Sequence, residues 1–133
     1  MSKPTPILYA EDNDHNAFML KHSLALEGFA LDIASNGQLA LRMLEEGDYA
    51  LILMDLDMPI MSGWEAIAKL KANRSPHPIP VIAISAHAIV GVREKAIATG
   101  ADDFDTKPVR IDRLVERMRR LIQAAPANKS DPA

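Results

Sequence analysis

The sequence has no cysteine among its 133 residues. That absence removes disulfides, thiolate nucleophiles and cysteine-rich zinc sites together, and it suits a reducing compartment. A long apolar run is missing too. The apolar stretch Ile79 to Val92 is shorter than the roughly 20 residues a membrane helix needs, and Pro80 and Gly91 interrupt it. The N-terminus, MSKPTP, lacks the apolar segment of a secretory signal. Together these absences set the expectation of a soluble, cytoplasmic protein. No glycine-rich phosphate loop comes after any apolar run, which counts against a nucleotide site. Excess positive charge is also lacking: the net charge is -3, no aromatics are interleaved with the basic residues and no helix-turn-helix is visible, so DNA binding is not expected.

What is present is enough for a core. The chain is 48% hydrophobic and 25% charged, and its length fits one compact domain better than two. Three short apolar runs, Ile7–Ala10, Leu51–Met54 and Val81–Ile84, have the length of strands buried on both faces. Two weaker candidates are the alternating Ala30–Ala34 and the mostly polar Asp103–Thr106. Between them lie helical patterns over Asp14–Glu27, with Gly28 as its C-cap, and over Gly37–Glu46, Trp64–Ala72, Ala88–Thr99 and Ile111–Ala124. Residues 125–133 are small and polar with a proline, and read as a disordered tail after a domain spanning 1–124.

Strand and helix alternate five times, which predicts an α/β fold: a parallel sheet with right-handed crossovers and helices on both faces. The apolar first, third and fourth strands belong inside the sheet, and the mixed second and polar fifth at its edges. The order 2-1-3-4-5, the flavodoxin-like doubly wound arrangement, satisfies this. A ligand is then expected beyond the C-terminal ends of strands one and three.

That crevice collects chemistry. Glu11 and Asp12 come directly after the first strand, and Asp55 ends the third. Three carboxylates in one pocket repel one another and call for a cation, and an all-oxygen set favours Mg²⁺. Ser85 comes after the fourth strand and Lys107 after the fifth. An acid, a metal, a hydroxyl donor and an ammonium suit phosphoryl transfer, where positioning and charge neutralisation supply most of the catalysis. Aspartate can itself be the phosphoryl acceptor.

The ordered set ILYAEDN (Ile7–Asn13), DLDMPIMSG (Asp55–Gly63), SA (Ser85 and Ala86) and GADDFDTKP (Gly100–Pro108) resembles the receiver domain of two-component response regulators, over about residues 5–123. The resemblance implies roles. Asp55 would accept a phosphoryl group from the phosphohistidine of a histidine kinase or histidine phosphotransfer protein. Asp12 would bind Mg²⁺ directly, Glu11 mainly through a metal-bound water, and the backbone carbonyl of Asp57 would be a further ligand. Ser85 and Lys107 would bind the phosphoryl oxygens. Phe104 would be the switch aromatic, without the hydroxyl that a tyrosine offers there. The Lys107-Pro108 step, often cis in the family, would help aim the ammonium. Asp57 and His87 stand where family members differ in the lifetime of the phosphoryl group.

Other readings stand beside these. Asp55-x-Asp57 also fits the signature of haloacid-dehalogenase-like phosphatases, with Ser85 and Lys107 downstream in the right order. That class, however, puts its nucleophile after the first strand and an acid pair after the lysine, where this chain has only Asp112. A receiver excised from a hybrid histidine kinase is a further alternative, although Met1 and the short tail favour a free-standing protein. The resemblance implies a signalling phosphoacceptor with self-catalysed phosphorylation and dephosphorylation rather than an enzyme. Asp14 reads as a helix N-cap, Gly63 as a tight turn, Trp64 as packing, and His15, His22, His77 and His87 as solvated side chains. The arginines at 110, 113, 117, 119 and 120 read as a solvated face, or as a docking surface for an unidentified acidic partner.

Overall fold

The computed structural model describes residues 3–72, 79–87 and 89–124. The elements run β1 (Thr5–Ala10), α1 (Asp14–Ala25), β2 (Phe29–Ala34), α2 (Gly37–Glu46), β3 (Leu51–Asp55), α3 (Gly63–Ala72), β4 (Val81–Ser85), α4 (Val92–Thr99), β5 (Asp103–Thr106) and α5 (Ile111–Ala124). The strands form one parallel sheet of order β2-β1-β3-β4-β5, as the polarity of the strands predicts. The expected tail, 125–133, lies outside the described residues, as do His77 and Ala88.

Side-chain alternation sorts each strand onto two faces. Leu8, Ala10, Ile52, Met54, Val81, Ala83 and Phe104 pack beneath α2, α3 and α4. Ile7, Tyr9, Leu51, Leu53, Ile82 and Ile84 pack against α1 and α5, through Leu20, Leu24, Leu114, Val115 and Met118. The central strands β3 and β4 are buried at every position, which is why they read as unbroken apolar runs.

Several boundaries differ from the expectation. The α1 helix stops at Ala25 with Leu26 as C-cap, and Gly28 sits at φ 94° in the turn toward β2. Its N-cap is Asn13, whose Oδ1 accepts from Asn16 N at 2.8 Å, so Asp14 is the first helical residue rather than the cap. The α4 helix begins at Val92, because Gly91 sits at φ 92°, a left-handed turn that interrupts a helix starting earlier. Gly63 has a different job from a turn. A Cβ there would lie 2.1 Å from Asp55 O and 2.7 Å from Leu56 Cα, so glycine lets the start of α3 press against the end of β3.

The edge strand β5 is closed by side chains. Lys107 N donates to Ser85 O, so by alternation the amides of Phe104 and Thr106 point away from β4. Phe104 N donates to Asp103 Oδ1 at 2.8 Å, Thr106 N donates to Asp105 Oδ1 at 2.7 Å, and Arg117 Nη1 donates to Phe104 O. The arginines of this region are thus neither a uniformly solvated face nor a free docking patch. Arg113 pairs with buried Asp105 at 2.7 Å, Arg117 with Asp103 at 3.7 Å, Arg119 with Glu27, Arg120 with Glu116 and Arg110 with Asp112.

Candidate phosphoacceptor and metal site

The two-faced packing decides which side chains meet. Tyr9 and Glu11 share the alternation of Ile7, and Asp55 shares that of Leu51 and Leu53, so all three project on the α1/α5 side. Register places Ala10 beside Met54, which brings Glu11 and Asp55 into one row at the C-terminal edge. Lys107 reaches the same place from the end of β5. Its Nζ donates to Glu11 Oε1 at 2.8 Å and to Asp55 Oδ2 at 2.9 Å. The Lys107-Pro108 peptide is cis.

Both carboxylates are 2% exposed, and they have specific donors. Asp55 Oδ1 accepts from Asp57 N at 2.9 Å. Glu11 Oε1 also accepts from the Tyr9 hydroxyl at 2.8 Å, and Oε2 from Asn13 N at 3.1 Å. Burial pushes the Asp55 carboxyl up to about 6, against the opposing pull of Lys107 and of the Asp57 amide. At Glu11 burial acts the same way, but the hydrogen bonds from Lys107, Tyr9 and Asn13 outweigh it and hold the group below the usual range. Burial lowers Lys107, and its two acid partners more than offset this, so the ammonium is retained. One cation thus faces two buried acids.

Asp12, exposed at the rim, completes the cluster: one carboxylate oxygen from each of Glu11, Asp12 and Asp55 lies within 4.8 Å of the others. This is the all-oxygen donor set expected for a hard divalent cation, and a second positive charge beside Lys107 suits it.

Ser85 and Phe104 arrive from the opposite face. Ser85 shares the alternation of Val81 and Ala83, and its hydroxyl engages the loops after β3 and β4. Its Oγ accepts from His87 N at 2.9 Å and lies 3.4 Å from Asp57 Oδ2. His87 Nδ1 stands 3.3 Å from the same Asp57 oxygen; the ring is solvated, as expected, and its exposed edge still links the two loops at the site's mouth. Phe104 is 6% exposed and packed in the core with Ala83 and Ala96, on the strand next to Ser85. Trp64 packs at the start of α3, beneath the Lys95 ammonium.

Tyr9 is a site residue that the motifs do not single out. Its signal in the sequence is that of one aromatic in an aliphatic strand, two residues before an acid and therefore on the same face.

Comparison with known proteins agrees with this geometry. The response regulator receiver domain model matches residues 7–119. Hybrid signal transduction histidine kinase I of Dictyostelium discoideum is 42% identical over 121 residues, covering 85% of this chain and 7% of that protein. The transcriptional regulatory protein TctD of Salmonella typhimurium is 35% identical over 88% of this chain and 51% of its own length. The chain therefore spans about half of such regulators and a small part of the kinase. Among solved structures, the receiver domain of the sensor histidine kinase PA1611 of Pseudomonas aeruginosa, with magnesium coordinated in its active-site cleft, superposes with a TM-score of 0.83 at 30% identity, covering 91% and 99% of the two chains. A chain from the co-crystal of the Saccharomyces cerevisiae phosphotransfer protein Ypd1 with the receiver domain of Ssk1 gives a TM-score of 0.82 at 28% identity, covering 96% of each. Since the match at residues 7–119 covers well over half of the sequence, the chain belongs to the family of response regulator receiver domains.

Proposed function

We propose that residues 1–124 act as the phosphoacceptor receiver of a two-component phosphorelay, and that Asp55 takes a phosphoryl group from a phosphohistidine. The observation that carries this is the Asp55 carboxylate, 2% exposed at a sheet edge, held through both oxygens and sharing one lysine with Glu11. Asp57 N fixes Oδ1, which orients the carboxylate for attack. The Oδ–P bond forms as the donor's N–P bond breaks, and the electron pair returns to the imidazole. Lys107 is placed to meet the charge of the transferred group. Glu11, Asp12, Asp55 and the backbone carbonyl of Asp57 would hold Mg²⁺, which when bound neutralises part of that charge.

Ser85 and Phe104 are the output elements of this reading. A phosphoryl group on Asp55 carries about two negative charges and three acceptor oxygens, in place of the single charge of the carboxylate. The Ser85 hydroxyl is held at the mouth by Asp57 and His87, and a move toward Asp55 would shift the loop over Phe104. The partner of the switched face is a protein; the histidine kinase or phosphotransfer protein is the donor. The product stays on the chain itself, so the activity is that of a signalling acceptor with its own phosphorylation and dephosphorylation chemistry. The cysteine-free composition suits the cytoplasm. No helix of the described residues is long and apolar enough to cross a membrane.

The magnesium in the PA1611 receiver and the phosphotransfer partner of Ssk1 support the same reading. The 42% identity to a hybrid kinase keeps a second one, a receiver module working within such a kinase. The phosphatase alternative is disfavoured, because Asp55 ends the third strand rather than the first.

The test is mass spectrometry of the chain treated with acetyl phosphate or a phosphorylated phosphotransfer protein. One phosphoryl group is expected, dependent on Mg²⁺ and absent in Asp55→Asn. Equal labelling without Mg²⁺, or in the variant, overturns the assignment.

A further inference from the structure

β1 is aliphatic at Ile7, Leu8 and Ala10, yet carries a tyrosine at position 9 that is 2% exposed. Packing alone does not need the hydroxyl there. A buried phenol must find an acceptor, and this one donates to Glu11 Oε1 at 2.8 Å. The two oxygens of Glu11 are not equally occupied. Oε1 takes Tyr9 and Lys107, each at 2.8 Å, which fills its two lone pairs. Oε2 takes only Asn13 N, at 3.1 Å, and keeps one lone pair. The glutamate is therefore turned with a saturated oxygen toward Lys107 and an unsaturated one available to a ligand.

We propose that Tyr9 is a positioning residue for magnesium: its hydroxyl locks Glu11 so that Oε2 is presented to the ion or to a water on it. This rests on the reading of Glu11 as a metal acid. A glutamate side chain has three rotatable bonds; Lys107 must also serve Asp55 and Asn13 N holds only Oε2, at the longer distance of 3.1 Å, so Tyr9 is the anchor of Oε1 that serves no other acid. Partners that orient a metal-binding carboxylate typically change affinity by 10–100-fold. Tyr9 is such a partner, reached from inside the core rather than from the mouth of the site.

The experiment is a Mg²⁺ titration of the purified chain, read by calorimetry and by backbone amide shifts, for wild type, Tyr9→Phe, Glu11→Gln and the double variant. Phenylalanine keeps the ring and removes only the donor. Tyr9→Phe is expected to bind Mg²⁺ on the order of 10-fold more weakly. The double variant should bind no more weakly than Glu11→Gln, because the group that Tyr9 orients is gone. Labelling of Asp55 in Tyr9→Phe should return to the wild-type rate at saturating Mg²⁺, a rescue that a packing defect would not show. If Tyr9→Phe does not fold, Tyr9→Leu, matching the strand's other residues, carries the same expectations. Wild-type affinity in Tyr9→Phe, or an equal loss with and without the Glu11 carboxylate, overturns the role of Tyr9 and leaves the metal reading intact. Wild-type affinity in Glu11→Gln overturns the metal role of Glu11 and this proposal with it.

Discussion

Replacing Asp55 with asparagine should stabilise the fold at neutral pH while abolishing phosphoryl acceptance. The carboxyl is 2% exposed, and burial lifts it from 3.8 to about 6 even with Lys107 at 2.9 Å. A raised folded-state value means the native chain holds the proton more tightly than the unfolded chain does. The stability linked to that proton is fully present below pH 3.8 and is lost as the pH rises through about 6. A shift of about two units corresponds to about 3 kcal/mol, the penalty the ionised carboxylate imposes at pH 8. Asparagine has nearly the same shape and no charge to bury. Its single oxygen can accept from Lys107 or from Asp57 N but not from both, which offsets part of the gain equally at every pH, and the ammonium keeps Glu11 as a partner. Urea unfolding of both proteins in metal-free buffer checks this: the advantage of the variant should grow by about 2 to 3 kcal/mol between pH 4 and pH 8. An advantage that stays constant with pH, or a variant less stable than wild type at pH 8, would refute the description of Asp55 as a carboxylate under net desolvation. The acceptor site, on these terms, is held ready at the expense of the fold.

The same geometry sets three other outcomes. Lys107→Met leaves buried Glu11 and Asp55 facing each other without their shared ammonium, and should lower stability at pH 7 by about 3–5 kcal/mol, with partial recovery on acidification, in urea unfolding without metal. Gly63→Ala forces a methyl to within 2.1 Å of Asp55 O, so α3 must retreat; a loss of about 1–3 kcal/mol and displaced amide signals at 55–57 are expected, and an unchanged spectrum would contradict the close approach. Ser85→Ala should still accept phosphate on Asp55 but lose much of the amide-shift response near Phe104 that beryllofluoride induces in wild type; a full response would show that the hydroxyl is not the trigger.

Legibility in the sequence tracks how strongly burial constrains each residue. β3 and β4 are buried on both faces, so only apolar residues fit, and their runs stand out. The strand order is readable for the same reason, since the polar composition of Asp103–Thr106 suits only an edge. The acids are readable because charges at the ends of apolar runs need a partner, and the lysine because it comes directly after the fifth strand, at the same edge of the sheet. One-residue matters are not: Asn13 and Asp14 are both good caps, and only the point where β1 ends selects Asn13. Glycine at position 63 fits a turn and a close approach equally well until the distance to β3 is known. The fate of the arginines is hidden as well, because helical periodicity places Arg113 and Arg117 on a side of α5 without revealing that Asp105 and Phe104 O wait there. Ser85 is readable as the end of the fourth strand, but its engagement with Asp57 and His87 depends on strand parity, which motif spacing does not express.

The side-chain closure of β5 bears on how this protein can meet others. An outer strand with free amides and carbonyls invites any extended segment to lie alongside and continue the sheet, including a strand from a second copy. Here the outward amides of Phe104 and Thr106 already donate to Asp103 and Asp105, and the outward carbonyl of Phe104 already accepts from Arg117. Main-chain zippering is thereby blocked along this border. A partner arriving there must read charge and shape instead, and Arg113 and Arg117 must first let go of their own acids if it is to use them. Alanine at 103 and 105 would take away these acceptors and should leave the outward amides open to main-chain pairing.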